Sequence, residues 1–317
     1  MTLPTQHNQI RYRDRSNTLM ANNYIEESVL SVDIGGSHIT AAVVHVATQT
    51  VVPSSIIRRK IDAHASAEII IEAWGAALVD AEEAWGSKCD YLAVSMPGPF
   101  DYERGISFIK GMNKYEALFG MDIKQAFADR IGLPAGHIWF MNDAEAFLRG
   151  EVCRDTHKHH ERFFGLTLGT GLGSAFFEQG EVTDLNLGSS PFLDGITEDY
   201  ISSRGILTYY RSLGGTNAAD VKTLVHKMED DTHASAAIRQ LAIWLADFLL
   251  KHVPTLTPDM VVIGGNISKA HALFLPEVAQ ILDTHGMRVP MKVVAKGEQA
   301  AMLGAASFIN SLKKNSK

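Results

Sequence analysis

The 317-residue sequence holds only two cysteines, Cys89 and Cys153, too few for a disulfide framework or a cysteine-built zinc site. No apolar run approaches the roughly 20 residues that a membrane-spanning helix needs. Residues 1–24 are polar, with Arg11, Arg13 and Arg15 but no apolar leader core, so the expected setting is the cytoplasm, without a membrane partner. Basic residues are in the minority, 29 Lys and Arg against 36 Asp and Glu, and the formal charge of −7 argues against a nucleic-acid partner. The spaced arginines read as a solvated tail.

What the chain does have is apolar material, 46% of its residues, enough for one large core or two ordinary ones. Segments 29–33, 39–46 and 51–59 are β-rich and separated by turn residues, which predicts a three-stranded meander. Ser66 precedes a helix with Ile70, Trp74, Ala77, Leu78 and Ala81 at helical spacing. A short buried strand, 91–95, ends at Met96-Pro97-Gly98-Pro99. A helix over 123–131 and a strand over 138–141 lead to Asn142-Asp143, followed by a helix over 144–151.

The second half repeats the theme. Strands 163–168 and 173–177 flank a glycine turn, and helices are predicted over 198–211, 218–228 and 234–252. A strand over 260–263 stops at Gly264-Gly265, and a helix over 298–312 ends the pattern. Two similar strand–turn–strand units within an α/β alternation predict a duplicated, two-lobed fold with a cleft between the lobes. The expected division is a tail over 1–27, a smaller lobe over 28–140 joined by the final helix, 298–313, and a larger lobe over 141–297.

Three stretches carry chemistry. In Ser31-Val-Asp-Ile-Gly-Gly-Ser-His38, a strand ends in a carboxylate and two glycines. Gly35 and Gly36 let backbone N–H groups approach a phosphate, Ser37 adds a hydroxyl, and Asp33 suits a hydrated metal ion held through water. Leu166-Thr-Leu-Gly-Thr-Gly-Leu-Gly173 offers a second cradle, Gly169-Thr170-Gly171. Between them, Asn142-Asp143 suits a helix cap and also places Asp143 where an acceptor hydroxyl would lose its proton. Gly264-Gly265-Asn266 could let an adenine lie against backbone. The tract Thr156-His-Lys-His-His160 reads as solvated loop, since nothing nearby completes a metal site, and Trp74 and Trp85 read as packing.

With these motifs in order, the chain resembles a sugar kinase of the ROK (repressor, open reading frame, kinase) family, within the actin-like and hexokinase ATPase superfamily. The resemblance spans about 29–307. It rests on Asp33–Ser37, on Met96-Pro97-Gly98-Pro99-Phe100-Asp101, on Asn113, on Asn142-Asp143, on Gly169–Gly171 and on Gly264-Gly265. It implies an actin-like fold, ATP and magnesium as cofactors, a small sugar as acceptor and possible pairing with a second copy of the chain. It further implies that Asp143 is the base, and that Gly98, Asn113, Asn142 and Asp143 hold the sugar.

Four departures qualify the resemblance. His38 stands where lysine or asparagine is common. The Glu-x-Gly-His segment is absent from 180–188, and the Cys-rich zinc motif is replaced by Leu193-Asp-Gly-Ile-Thr-Glu-Asp-Tyr200, so no structural zinc is expected. Glu198 resembles the family's sugar-binding glutamate. Residues 1–27 are too short for the DNA-binding helix-turn-helix of many relatives. The rest of the sugar wall is not recognisable, which predicts weak discrimination on that edge. A kinase for an unusual polyol and a non-catalytic sugar or nucleotide sensor remain as alternative expectations.

Overall fold

The computed structural model describes residues 28–112, 114–152 and 161–315; the arginine tail, Asn113, Cys153 and the histidine tract lie outside the described residues. Strands β1 (Ser28–Ile34), β2 (His38–His45), β3 (Thr50–Val51) and β4 (Ile57–Lys60) open the chain, followed by α1 (Ala67–Trp85) and β5 (Leu92–Met96). A small ribbon of β6 (Phe100–Asp101) and β7 (Ile106–Ser107) precedes α2 (Ile123–Ile131), β8 (Ile138–Asn142) and α3 (Asp143–Val152). Next come β9 (Phe163–Leu168), β10 (Leu172–Glu178), β11 (Glu181–Asp184) and a second ribbon, β12 (Pro191–Phe192) with β13 (Gly195–Ile196). The chain then runs through α4 (Ser203–Ser212), α5 (Val221–Lys227), α6 (Thr232–Leu256), β14 (Met260–Gly264), α7 (Leu275–Thr284), β15 (Met291–Val293) and α8 (Gly297–Asn315).

The first sheet has the order β3-β2-β1-β5-β8, with β4 also on β2, and the second has the order β11-β10-β9-β14-β15. In each, an antiparallel meander is extended by two parallel strands, so the duplication read from the sequence is a duplication of topology. The expected third strand over 51–59 is two short pieces, because Pro53 opens a 3-10 turn over Pro53–Ser55 and cannot donate to a ladder. Ser55 closes that break by accepting from Val43 N at 2.8 Å.

Both sheets are covered on both faces, which is why their strands are almost continuously apolar. Alternate residues of β1 and β2, such as Leu30, Val32, Ile39 and Ala41, pack under α1 and α2. Phe164, Leu166, Val261 and Ile263 of the second sheet pack against α4, α6 and α7. The remaining faces, Val29, Ala42 and Val44 on one sheet and Phe163, Ala175 and Val262 on the other, enclose α3 and α8 in a third core. Helix α8 is fastened to the first sheet by Ser31 Oγ, which donates to Met302 O at 2.8 Å. Helix α3 lies on the second sheet, and its Phe147 ring fills the space that a side chain at Gly264 would need. The two inner helices therefore join the halves and leave the far ends of the sheets facing one another.

Candidate active site

A cavity of about 950 Å³ opens between the sheets where the parallel strands end. Such strand ends are where open α/β sheets hold ligands, because the chain leaves the ladder there with its polar groups unspent. Strand β1 delivers Asp33 to the cavity beside Ser95 of β5, its register partner, whose hydroxyl donates to Asp33 Oδ1 at 2.8 Å. Burial raises the Asp33 carboxyl well above its ordinary value. The Ser95 bond opposes the rise, the nearby carboxylates Asp143 and Glu298 add to it, and the result is about 7.

The two glycine turns are pinned from outside the cavity. Gly35 N donates to His38 O at 2.9 Å, and the buried Tyr115 hydroxyl donates to Gly35 O at 2.5 Å. In the second turn, Gly169 N donates to Gly171 O at 3.0 Å, and Ser203 N and Oγ both donate to Gly169 O, at 2.8 and 3.0 Å. A Cβ on Gly36 would stand 2.8 Å from Thr170 Oγ1, so the turns meet across the cleft. Ser37 lines the same region, with its hydroxyl 2.9 Å from His38 Nδ1.

Asn142 takes the capping role read from the sequence, and both Asn142 and Asp143 line the cavity. Asn142 Oδ1 accepts from Ala144 N at 2.8 Å and from Glu145 N at 3.3 Å, which caps α3. Its amide also donates to the Tyr102 hydroxyl at 3.2 Å, and Tyr102 in turn donates to Met96 O at 3.2 Å. Asp143 Oδ1 accepts from Ala144 N at 2.9 Å, and the side chain lines the cavity. Burial raises its carboxyl, and Lys114 and the helix N–H groups oppose the rise. The net effect is a carboxyl that holds a proton more tightly than an exposed aspartate does.

Gly98 lines the cavity against Tyr102, whose hydroxyl is 3.2 Å from where a Gly98 Cβ would sit. Glu198 lies in a 3-10 turn over Thr197–Asp199 rather than in a helix, because Ser202 caps α4 by accepting from Gly205 N at 3.1 Å. Its carboxylate stands over the second glycine turn, 2.5 Å from a Cβ on Gly171. Gly265 and Asn266 line the cavity, with Asn266 Oδ1 accepting from Lys269 Nζ at 2.7 Å. Gly264 does not line it; it serves the packing of α3.

Several residues enter that the sequence did not single out. Glu298, at the start of α8, accepts from Thr40 Oγ1 at 2.8 Å and from Arg58 Nη2 and Nε at 3.0 and 3.1 Å. Burial alone would raise its carboxyl, but Arg58 and Thr40 outweigh it and the net shift is downward. Lys269 and Lys296 reach the same end of the cavity. An acidic residue in the first turn of a helix is ordinary, so only the fold reveals that Glu298 faces Asp33. The wall expected to be bare also carries polar groups: Asp184, Asn186 and Ser189 line it. In place of the cysteine motif is the β12–β13 ribbon, where Asp199 Oδ2 accepts from Ile196 N at 3.1 Å and Asp199 Oδ1 accepts from Arg204 at 2.9 Å. Among the described residues, no three His, Cys, Asp or Glu side chains are grouped to hold a metal ion. No helix among them is long and apolar enough to cross a membrane.

Two sheets of matching topology with facing glycine turns at a shared cleft define the two-lobed actin-like fold. The ROK family model matches residues 29–190 and 193–311, and the chain belongs to the ROK family. It is 26% identical to a glucokinase of Thermotoga maritima over 71% of this chain and 80% of that protein. It is 27% identical to an N-acetylmannosamine kinase of Vibrio vulnificus over 88% of this chain and 96% of that one. The fold matches a ROK family glucokinase from Streptomyces griseus, solved with glucose and AMPPNP, with a TM-score of 0.73 at 22% identity, covering 89% and 98% of the two chains.

Proposed function

We propose that this protein transfers the γ-phosphoryl group of ATP to a hydroxyl of a hexose or an amino sugar. The observation that carries the reading is Asp143, a carboxylate of raised proton affinity, opening onto the same cavity as the paired turns at Gly36 and Thr170. A loose phosphoryl-transfer transition state needs alignment and charge stabilisation more than covalent chemistry. The N–H groups and hydroxyls of the two turns supply donors to the phosphates, while Gly265 and Asn266 flank the nucleotide base. Asn142 and Gly98 hold the acceptor, and Asp143 takes the proton from the attacking hydroxyl. The names of the relatives support this acceptor class, since they include a glucokinase and an N-acetylmannosamine kinase.

Magnesium fits the donors present. It keeps several waters and takes one or two carboxylates plus substrate phosphates, and Asp33 offers one oxygen beyond the one bonded to Ser95. Bound there, it would neutralise phosphate charge. The halves close about α3 and α8, which removes water from the donor phosphate.

The test is a coupled ATP assay on the purified protein with glucose, mannose, galactose, N-acetylglucosamine and N-acetylmannosamine, with and without magnesium. The expected result is magnesium-dependent turnover that requires one of these acceptors. Binding of acceptor by calorimetry with no turnover on any of them would instead identify a sensor.

A further inference from the structure

The segment over 184–190 lacks the family's Glu-x-Gly-His residues, yet it is a built wall of the cavity. The buried Ser174 fixes it twice: Leu187 N donates to Ser174 Oγ at 2.8 Å, and Leu185 N donates to Ser174 O at 2.9 Å. Asn186 adopts a left-handed backbone with φ of 47°, and a 3-10 turn over Leu187–Ser189 follows. Ser190 Oγ donates to Leu187 O at 2.7 Å and lies 3.0 Å from Thr197 Oγ1, which ties the segment to the turn bearing Glu198. A segment anchored both to β10 and to the Thr197 turn presents its side chains in a fixed direction.

Those side chains are Asp184, Asn186 and Ser189, all on the cavity wall. Asp184 Oδ1 accepts from Asn186 N at 2.9 Å, and the described residues offer its other oxygen no hydrogen bond and no cation. The carboxylate is half-buried, and Asp143 and the Tyr102 hydroxyl lie within its electrostatic reach. A desolvated carboxylate beside a second one is unfavourable unless a donor meets it. The side-chain donors that this wall supplies are the Asn186 amide and the Ser189 hydroxyl, and the latter is directed to Asn186 Oδ1 at 3.1 Å.

Resting on the kinase reading above, we propose that Asp184 is a specificity-determining residue of this chain, accepting a hydrogen bond from one hydroxyl of the acceptor sugar other than the one phosphorylated. It takes over the edge of the acceptor that the absent Glu-x-Gly-His segment would have read. A carboxylate there rewards a hydroxyl and is left unmatched by a hydrogen at the same carbon, the asymmetry that gives polar pockets their discrimination. It also disfavours anionic acceptors by like-charge repulsion.

The test is a cycle between the side chain and the substrate. The native protein, Asp184→Ala and Asp184→Asn are assayed for kcat and KM on the best acceptor and on its single deoxy analogues. The expected native result is a loss in kcat/KM of about 10- to 100-fold at one deoxygenated position, a loss that shrinks to under about 3-fold in Asp184→Ala. Asp184→Asn should raise KM about 10-fold on the parent sugar, with kcat and the affinity for a non-hydrolysable ATP analogue nearly unchanged, a split that a merely structural role would not give. Losses that remain additive at every position, or an unchanged KM in both variants, would overturn the role of Asp184 while leaving the kinase reading intact. Absence of transfer by the native protein would overturn the kinase reading itself, and the role of Asp184 with it. Asp184→Asn, nearly isosteric, keeps the comparison available should the alanine variant misfold.

Discussion

In the first sheet, two of the strands that reach the cavity deliver carboxylates to it, Asp33 in β1 and Asp143 directly after β8. At the corresponding ends of the second sheet, the chain places Thr170 after β9, Gly265 and Asn266 after β14, and Lys296 after β15. The strand orders match, so a common scaffold cannot account for the difference. On the function proposed above, the first of these halves holds the metal ion and takes the proton. On the same proposal, the ends of β9, β14 and β15 let phosphates and a base lie close to backbone, with Lys296 beside them. Matching topology frames the cleft, and the residues at the strand ends distinguish its two sides.

The largest expected effect breaks this division at its catalytic end. Asp143→Asn should lower kcat on the best acceptor by about 10²- to 10⁴-fold, the usual worth of a positioned base. The helix cap belongs to Asn142 and the bond to Ala144 N can be made by an amide oxygen, so the fold should persist. Circular dichroism and affinity for an ATP analogue would then match the native protein. A variant that kept near-native kcat would show that the charged half does not supply the base.

A second change attacks the joint between the halves. Helices α3 and α8 cross with almost no gap: a Cβ on Gly304 would lie 1.8 Å from Ala146 O, and one on Gly150 would lie 1.8 Å from Ala300 O. No rotamer change relieves a clash with backbone, so the helices must separate. Gly304→Ala should destabilise the protein by about 3 kcal/mol despite alanine's better helix propensity, measured by urea denaturation. A neutral result would mean that the helices slide freely, and the halves with them.

The part of this legible in the sequence was what local chemistry determines. Glycines after strands, a proline-glycine loop and an Asn-Asp pair before a helix each announce themselves within a few residues, and the cavity gathers Asp33, Gly98, Asn142, Asp143, Thr170 and Gly265. Long-range contributions were not legible. Glu298 reaches Arg58 and Thr40 from the far end of the chain, and Tyr102 joins Asn142 across 40 positions, with no spacing rule to signal either. Gly264 read as a site residue because a glycine pair looks alike whether it admits a ligand or, as here, a phenylalanine ring. The wall over 184–189 carries no motif, since Asp184, Asn186 and Ser189 meet at the cavity only through the turn that Ser174 fixes.

The smallest effect sharpens the comparison through pH. Burial opposes the ionised form of Asp33, so that form should weigh on stability in the substrate-free protein. Its carboxyl is raised from 3.8 in the unfolded chain to about 7 in the folded one, chiefly by burial. The folded state therefore binds the proton more tightly. That preference stabilises the fold fully below the unfolded value and is lost as the pH rises through about 7. Asp33→Asn removes the charge and can keep the Ser95 bond. Without magnesium or nucleotide, it should be more stable than the native protein by about 1–3 kcal/mol at pH 8, and the gain should shrink to under half by pH 5. Thermal melts of both proteins between pH 5 and 8, with chelator present, measure it. An advantage independent of pH would assign the effect to packing at β1. A gain confined to high pH would establish that the ionised Asp33 carboxylate is a standing electrostatic cost to the substrate-free fold.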